Sequence, residues 1–85
     1  MNRKINFKEI AVTNIEGNVE KVDISSLLGN QLYMEGQNIE ECELGKKIYF
    51  ANGEVELTDA EAGIIMMFMR RYSFVIRSAV SEILK

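Results

Sequence analysis

Residues 64–69 read Ile-Ile-Met-Met-Phe-Met. Six consecutive apolar side chains point all the way round a helix, whatever its phase. Just upstream, Thr58-Asp59-Ala60-Glu61 has the form of a capping box, with acids in the first turn and Arg70-Arg71 beyond the run. A helix starting at Thr58 must therefore be covered on every side. In a chain of 85 residues, that makes it either the central core helix or a core helix with one face against another protein. Methionines suit the second role because they are unbranched and polarizable. The surface expected on this reading comprises Met66, Met67, Phe68 and Met69, with Tyr72 and Phe74 at its edge.

The length predicts a single domain over residues 1–85 with a thin stability margin. Small domains are usually supported by disulfides, a metal or oligomerisation. Cys42 is the only cysteine and there is no histidine, so an internal disulfide is excluded and a structural zinc is disfavoured. A hydrophobic fraction of 47% leaves a sufficient core as the other possibility. The lone cysteine, the absence of an apolar leader and the shortness of the apolar run together predict a cytoplasmic protein, with no membrane span.

The net charge is −3, unevenly divided. Residues 1–57 carry six Lys/Arg against ten Asp/Glu, and residues 58–85 carry four against three. This is not the footprint of affinity built on phosphate neutralisation. The best cationic cluster is Arg70, Arg71, Arg77 and Lys85 with Tyr72 and Phe74 interleaved. Such a set holds phosphate and stacks bases in single-strand binders, but it equally describes a solvated helical face.

Along the chain, residues 4–24 read as a β-hairpin. A three-residue loop Glu16-Gly17-Asn18 would pair Ile15 with Val19, Val12 with Val22 and Ile10 with Ile24. A phase slip near Lys8-Glu9 suggests a bulge. Residues 25–35 read as a helix capped by Ser25 or Ser26, with Leu27, Leu28, Leu32 and Met34 as its apolar positions and Gly36 as its terminator. Residues 38–51 are balanced between two structures. Asn38 and Glu41 resemble a capping box, and acids precede Lys46 and Lys47, which is helical polarity. Yet Ile48-Tyr49-Phe50 and Val55-Glu56-Leu57 flank Asn52-Gly53 as a two-residue hairpin would. A last helix near 73–84, capped by Ser73, places Val75, Ile76, Ala79, Val80 and Ile83 on its apolar side. Without Gly or Pro between them, the last two helices also read as one continuous helix.

The order INFKEI, LGNQLY, LGKKIYFANGEVELTDAE and AVSEIL resembles a class of small proteins from phages and prophages of gut bacteria. The resemblance implies a mobile-element setting, and a helix followed by a short strand through KKIYFANGEVEL. It implies no catalytic residues. The fold expected is α+β: an N-terminal hairpin, a third strand near 54–57 added to it, and three or four helices.

Catalytic chemistry has little support. Cys42 lacks an activating histidine and sits among Glu40, Glu41 and Glu43, which disfavour thiolate, so it reads as a small buried residue. Those glutamates lack calcium-loop spacing and read as a solvated first turn. Asp59 and Glu61 are explained by the capping box. The glycines form no phosphate loop. No metal, cofactor or small-molecule substrate is expected. The functional expectation is a non-enzymatic interaction or assembly protein that associates with itself or another protein. The alternative is a small DNA-binding regulator using the two C-terminal helices.

Overall fold

The computed structural model describes residues 3–85. Four strands and four helices follow one another as β1 (Arg3–Ile5), β2 (Ile10–Thr13), β3 (Val19–Val22), α1 (Ser25–Glu35), α2 (Ile39–Tyr49), β4 (Val55–Leu57), α3 (Asp59–Phe68) and α4 (Phe74–Leu84), with a single 3-10 turn at Met69–Arg71. The fold is α+β.

The strands form two separate antiparallel pairs, β1 with β4 and β2 with β3. The phase slip at residues 6–9 is a turn rather than a bulge: Glu9 N–H donates to the Asn6 carbonyl at 3.1 Å, and Lys8 N–H to Asn6 Oδ1 at 3.0 Å. The turn sends β1 away from β2. The short strand Val55–Leu57 then pairs with β1, placing Ile5 opposite Val55, instead of extending the hairpin.

The β2–β3 register differs from the expected one by two residues. Ile10 faces Val22 and Thr13 faces Val19. The reason lies in Asn14, whose Oδ1 accepts from both Glu16 N–H and Asn18 N–H at 3.0 Å. Its own N–H donates to the Asn18 carbonyl at 2.8 Å, closing a loop that holds Gly17 at φ 89°. An Asn that bonds its own backbone makes a turn earlier than hydrophobic pairing alone suggests. Ile15 is therefore left in the loop, fully exposed.

Residues 39–49 are helical and settle the ambiguity. Asn38 Oδ1 accepts from Glu41 N–H at 2.9 Å. The reciprocal half of the box is shifted: the buried Glu41 carboxylate accepts from Gln37 N–H at 2.8 Å, not from Asn38. Asn52 and Gly53 form a bend without positive φ, so the two-residue hairpin that needs it does not form. Helix α1 is not capped by a serine. Asp23 Oδ1 receives Ser25 N–H at 2.9 Å and Ser25 Oγ–H at 2.7 Å.

Thr58 opens α3 with both halves of its capping box present. The continuous-helix reading ends at the 3-10 turn, where Ser73 Oγ accepts from Ile76 N–H and restarts the chain as α4. Of the apolar residues expected to face inward on α4, Val80 is buried and Ile76 and Ala79 pack partly, while Val75 and Ile83 are exposed and Leu84 closes the core instead.

One hydrophobic core joins the sheets to the helices, with Ile5, Phe7, Ile10, Leu57, Ile65 and Val80 among its buried members. Leu28 and Leu32 of α1 and Leu44 and Ile48 of α2 extend it between the first two helices. These helices touch backbone to backbone. A Cβ on Gly45 would lie 2.6 Å from the Gly29 carbonyl oxygen, and one on Gly29 would lie 2.8 Å from Tyr49 Cβ. Lys47 then ties α2 to the next elements, donating to the Glu56 carbonyl at 2.6 Å and to the Glu61 carboxylate at 3.4 Å.

This contrast between glycines is directly testable. Gly45→Ala should destabilise the fold by about 1–3 kcal/mol, because a backbone carbonyl cannot step aside. Gly63→Ala, exposed on α3 with nothing within 4 Å of the added Cβ, should stabilise it by about 0.5–1 kcal/mol. Urea midpoints of the two variants against the parent decide both.

Candidate functional site

Three features converge at the corner between α3 and α4. Met69 N–H donates to the Ile65 carbonyl, ending α3. Tyr72 N–H donates to the Met69 carbonyl at 3.0 Å, closing the 3-10 turn. Gln31 Nε2 of α1 donates to the Phe68 carbonyl at 3.1 Å, and Arg71 Nη1 pairs with the Glu35 carboxylate at 3.0 Å. These two bridges fix α1 beside the corner, and a groove of about 600 Å³ opens between α1 and α4. Its apolar lining is Leu27 and Met34 from α1, with Tyr72 and Ile76 opposite.

The residues expected to form one surface do not stay together. Met69 is completely buried in the core and is closed to any partner in this structure. Met66 and Phe68 pack partly against the core. Met67 and Phe74 are exposed, and Tyr72 is partly buried. Met66 borders a shallow depression with Ala62 and Leu84, Met67 and Phe68 border another with Gln31 and Glu41, and Tyr72 lines the α1–α4 groove. Helical geometry explains the split, since each residue turns about 100° from the last and a run of four spreads most of the way round the helix.

Leu27 and Met34, two of the four apolar positions of α1, are exposed at 64% and 77%. Seven residues apart on α1, they lie on one stripe facing away from Leu28 and Leu32. Their spacing was visible in the sequence. What sequence could not show was that α1 meets α2 through its glycine face and so turns this stripe outward.

Tyr72 carries the least ordinary chemistry here. Its hydroxyl is buried and finds no hydrogen-bond partner among the described residues. Burial disfavours the phenolate and pushes the pKa up to about 12.

The three arginines are unequally placed. Arg71 is paired with Glu35. Arg77 Nη1 donates to the Arg70 carbonyl at 3.3 Å, and its guanidinium stands 6.0 Å from the centre of the Phe74 ring. Arg70 is exposed.

A second, smaller notch of about 300 Å³ lies over the glycine crossing of α1 and α2. Tyr33, Tyr49 and Phe50 wall it, and Lys46 stands 5.7 Å over the Tyr33 ring. Tyr49 and Phe50 meet edge to face at 5.0 Å. Phe50, a strand residue only on the hairpin alternative, is exposed at the end of α2.

The shifted carboxylates have structural causes. Ser25, through its hydroxyl and its amide, holds Asp23 below the usual carboxylate range. The Arg3 guanidinium does the same for Asp59. Burial pushes the Glu61 carboxyl up, but the Thr58 amide and Lys47 outweigh it and the net direction is down. Cys42 is partly buried, and its Sγ lies 3.5 Å from the Tyr33 carbonyl oxygen. Among the described residues, no three His, Cys, Asp or Glu side chains gather to hold a metal ion.

No family model, curated protein or solved structure matches this chain.

Tyr72→Phe removes an unsatisfied hydroxyl and should stabilise the protein by up to about 1 kcal/mol. The pH dependence has a definite sign. With the folded pKa near 12 against 10 for a free tyrosine, the unfolded chain ionises first, so stability present below pH 10 is lost as pH rises towards 12. Denaturant titrations should show this loss in the parent and a shallower one in Tyr72→Phe. Equal slopes would remove the assignment.

Proposed function

We propose that this chain is a non-enzymatic protein-interaction or assembly module, and that the groove between α1 and α4 takes an amphipathic helix of a partner protein. The observation that carries the reading is the exposed pair Leu27 and Met34 facing Tyr72 and Ile76 across that groove. A trough walled by α1 on one side, and by Tyr72 and the first turn of α4 on the other, suits the helix-in-groove mode, in which anchors spaced i, i+3 or i+4, and i+7 fill the trough. Asn30, Gln31, and the Glu35–Arg71 pair supply a polar rim, the usual boundary of such a surface. The shifted carboxylates support the non-enzymatic part of the reading, since helix caps and ion pairs account for each of them. The phage or mobile-element setting rests on the sequence resemblance. A cytoplasmic location rests on the lone free cysteine; among the described residues, no helix is long and apolar enough to cross a membrane.

The second reading, a small DNA-binding regulator, draws on the closeness of Arg70, Arg77 and Phe74 at the start of α4. Against it stand the Arg71–Glu35 pair and the net charge of −3. It requires duplex binding that weakens steeply with salt, and the interaction reading expects no mobility shift even at low salt.

Selection from a displayed library of random helical peptides tests the groove. The expected binders converge on apolar i, i+3 or i+4, i+7 patterns and lose at least about tenfold in affinity against Met34→Asp or Leu27→Asp. Both substitutions are at exposed positions, so the fold should survive, which circular dichroism checks. Failure to enrich any binder, or binders indifferent to both substitutions, would overturn the groove as the binding surface.

A further inference from the structure

Helix α2 buries one face, through Glu41, Leu44, Gly45 and Ile48. Directly opposite lies a stripe of four exposed residues: Ile39, Glu43, Lys46 and Phe50. Their spacing of 4, 3 and 4 keeps them within about 60° of one another on the helix, and it is the d-a-d-a spacing of a coiled-coil seam. The two ends of the stripe are strongly exposed apolar residues, Ile39 at 78% and Phe50 at 74%. The middle is an acid and a base, paired within the helix at 3.5 Å.

The order along the stripe is apolar, acidic, basic, apolar. Laid antiparallel against a second copy about a two-fold axis between Glu43 and Lys46, every position meets its complement. Ile39 meets Phe50 of the second copy, and Glu43 meets Lys46 of the second copy; the same two contacts recur by symmetry. Antiparallel seams pair a positions with d positions in this way. The alignment also sets the exposed Glu40 in the first turn of each helix towards the basic last turn of the other. A parallel alignment would set Glu43 against Glu43 and Lys46 against Lys46, and like charges at one seam select against it. The notch over the glycine crossing, walled by Tyr33, Tyr49 and Phe50, lies beside the stripe where Ile39 of the second copy would seat.

We infer that α2 is a self-recognition surface, and that the chain forms a two-fold dimer through antiparallel pairing of Ile39, Glu43, Lys46 and Phe50. This goes beyond the partner-helix groove, and none of the four paired residues lines that groove. One helix pair covers less than the roughly 1,200 Å² of a standard stable interface. The dimer is accordingly a dynamic one, with a dissociation constant between about 1 µM and 1 mM.

Charge exchange tests the pairing. In sedimentation equilibrium, Glu43→Lys alone and Lys46→Glu alone should each weaken dimerisation about tenfold or more, by setting like charges together. The double variant Glu43→Lys with Lys46→Glu should return to within about threefold of the parent, since it restores opposite charges across the seam. Cross-linking gives a second, independent readout in a Cys42→Ser background. A mixture of Ile39→Cys and Phe50→Cys chains should oxidise to the mixed disulfide. Ile39→Cys chains alone should not, because the two copies of position 39 lie about 16 Å apart along the axis. A monomer up to about 1 mM, a double variant as weak as the single ones, or cross-linking of position 39 to itself would overturn the pairing. Peptide binding in the α1–α4 groove should persist in Glu43→Lys, so loss of the dimer and loss of the groove reading are separate results.

Discussion

The backbone contact between Gly29 and Gly45 fixes most of what the rest of the molecule presents. With no side chain on either glycine, α1 and α2 approach until one backbone lies against the other. That approach closes Leu28 and Leu32 over Leu44 and Ile48. It also sets the rotation of both helices. Leu27 and Met34 turn outward toward α4, and the stripe from Ile39 to Phe50 faces away from the core. A larger residue at either crossing point would push the helices apart and loosen the floor beneath both surfaces. The apparent weakness of a glycine in mid-helix, worth about 1 kcal/mol in propensity, is here outweighed by the packing it permits.

The second constraint is the α3–α4 corner. Sequence places six apolar residues in a row, and the structure deals with them by rotation and by stopping the helix. Ile65 and Met69 enter the core, Ile64, Met66 and Phe68 cover its edges, and Met67 is left to solvent. The 3-10 turn at Met69–Arg71 then breaks the stripe before it can continue into α4. The bridges from Gln31 and Glu35 hold α1 against this corner. The groove is therefore a product of two local accidents of capping, at Tyr72 and Ser73, and two side-chain bonds from a helix about 40 residues upstream in sequence.

The parts of this fold legible in the sequence are those governed by local chemistry. The Thr58 capping box, the Asn38 cap, the Ser73 cap and the short strand 55–57 all appear where residue types demanded them. The structure departs from local expectation where a distant partner or a competing side chain decides the outcome. Asn14 took two amides and moved the hairpin register away from the one that pairs Ile15. The strand β4 found β1, a partner about 50 residues away, after the turn at Asn6 had detached β1 from the hairpin. Met69 looked like part of a continuous surface because a run of apolar residues carries no phase information. The apolar residues that do form exposed stripes, Leu27 with Met34 and Ile39 with Phe50, were present in the sequence at helical spacing. Only the side on which each helix packs shows that they face out.

The two surfaces differ in a way that bears on how such a chain works. The α1–α4 groove is concave and mostly apolar, with its one nearby ion pair satisfied internally. Nothing in it is complementary to itself. The α2 stripe is convex, and its sequence of apolar, acidic, basic and apolar residues is its own complement when reversed. A self-complementary stripe closes as a two-fold pair and stops there, without leaving an edge for further growth. Because it shares no residue with the groove, two copies joined through α2 would carry two open grooves on one body. A partner with two matching helices would then meet the second groove at a high effective concentration, gaining avidity without any new contact. Weak pairing through one helix would suffice for this, since such a partner would itself strengthen the dimer by binding across it.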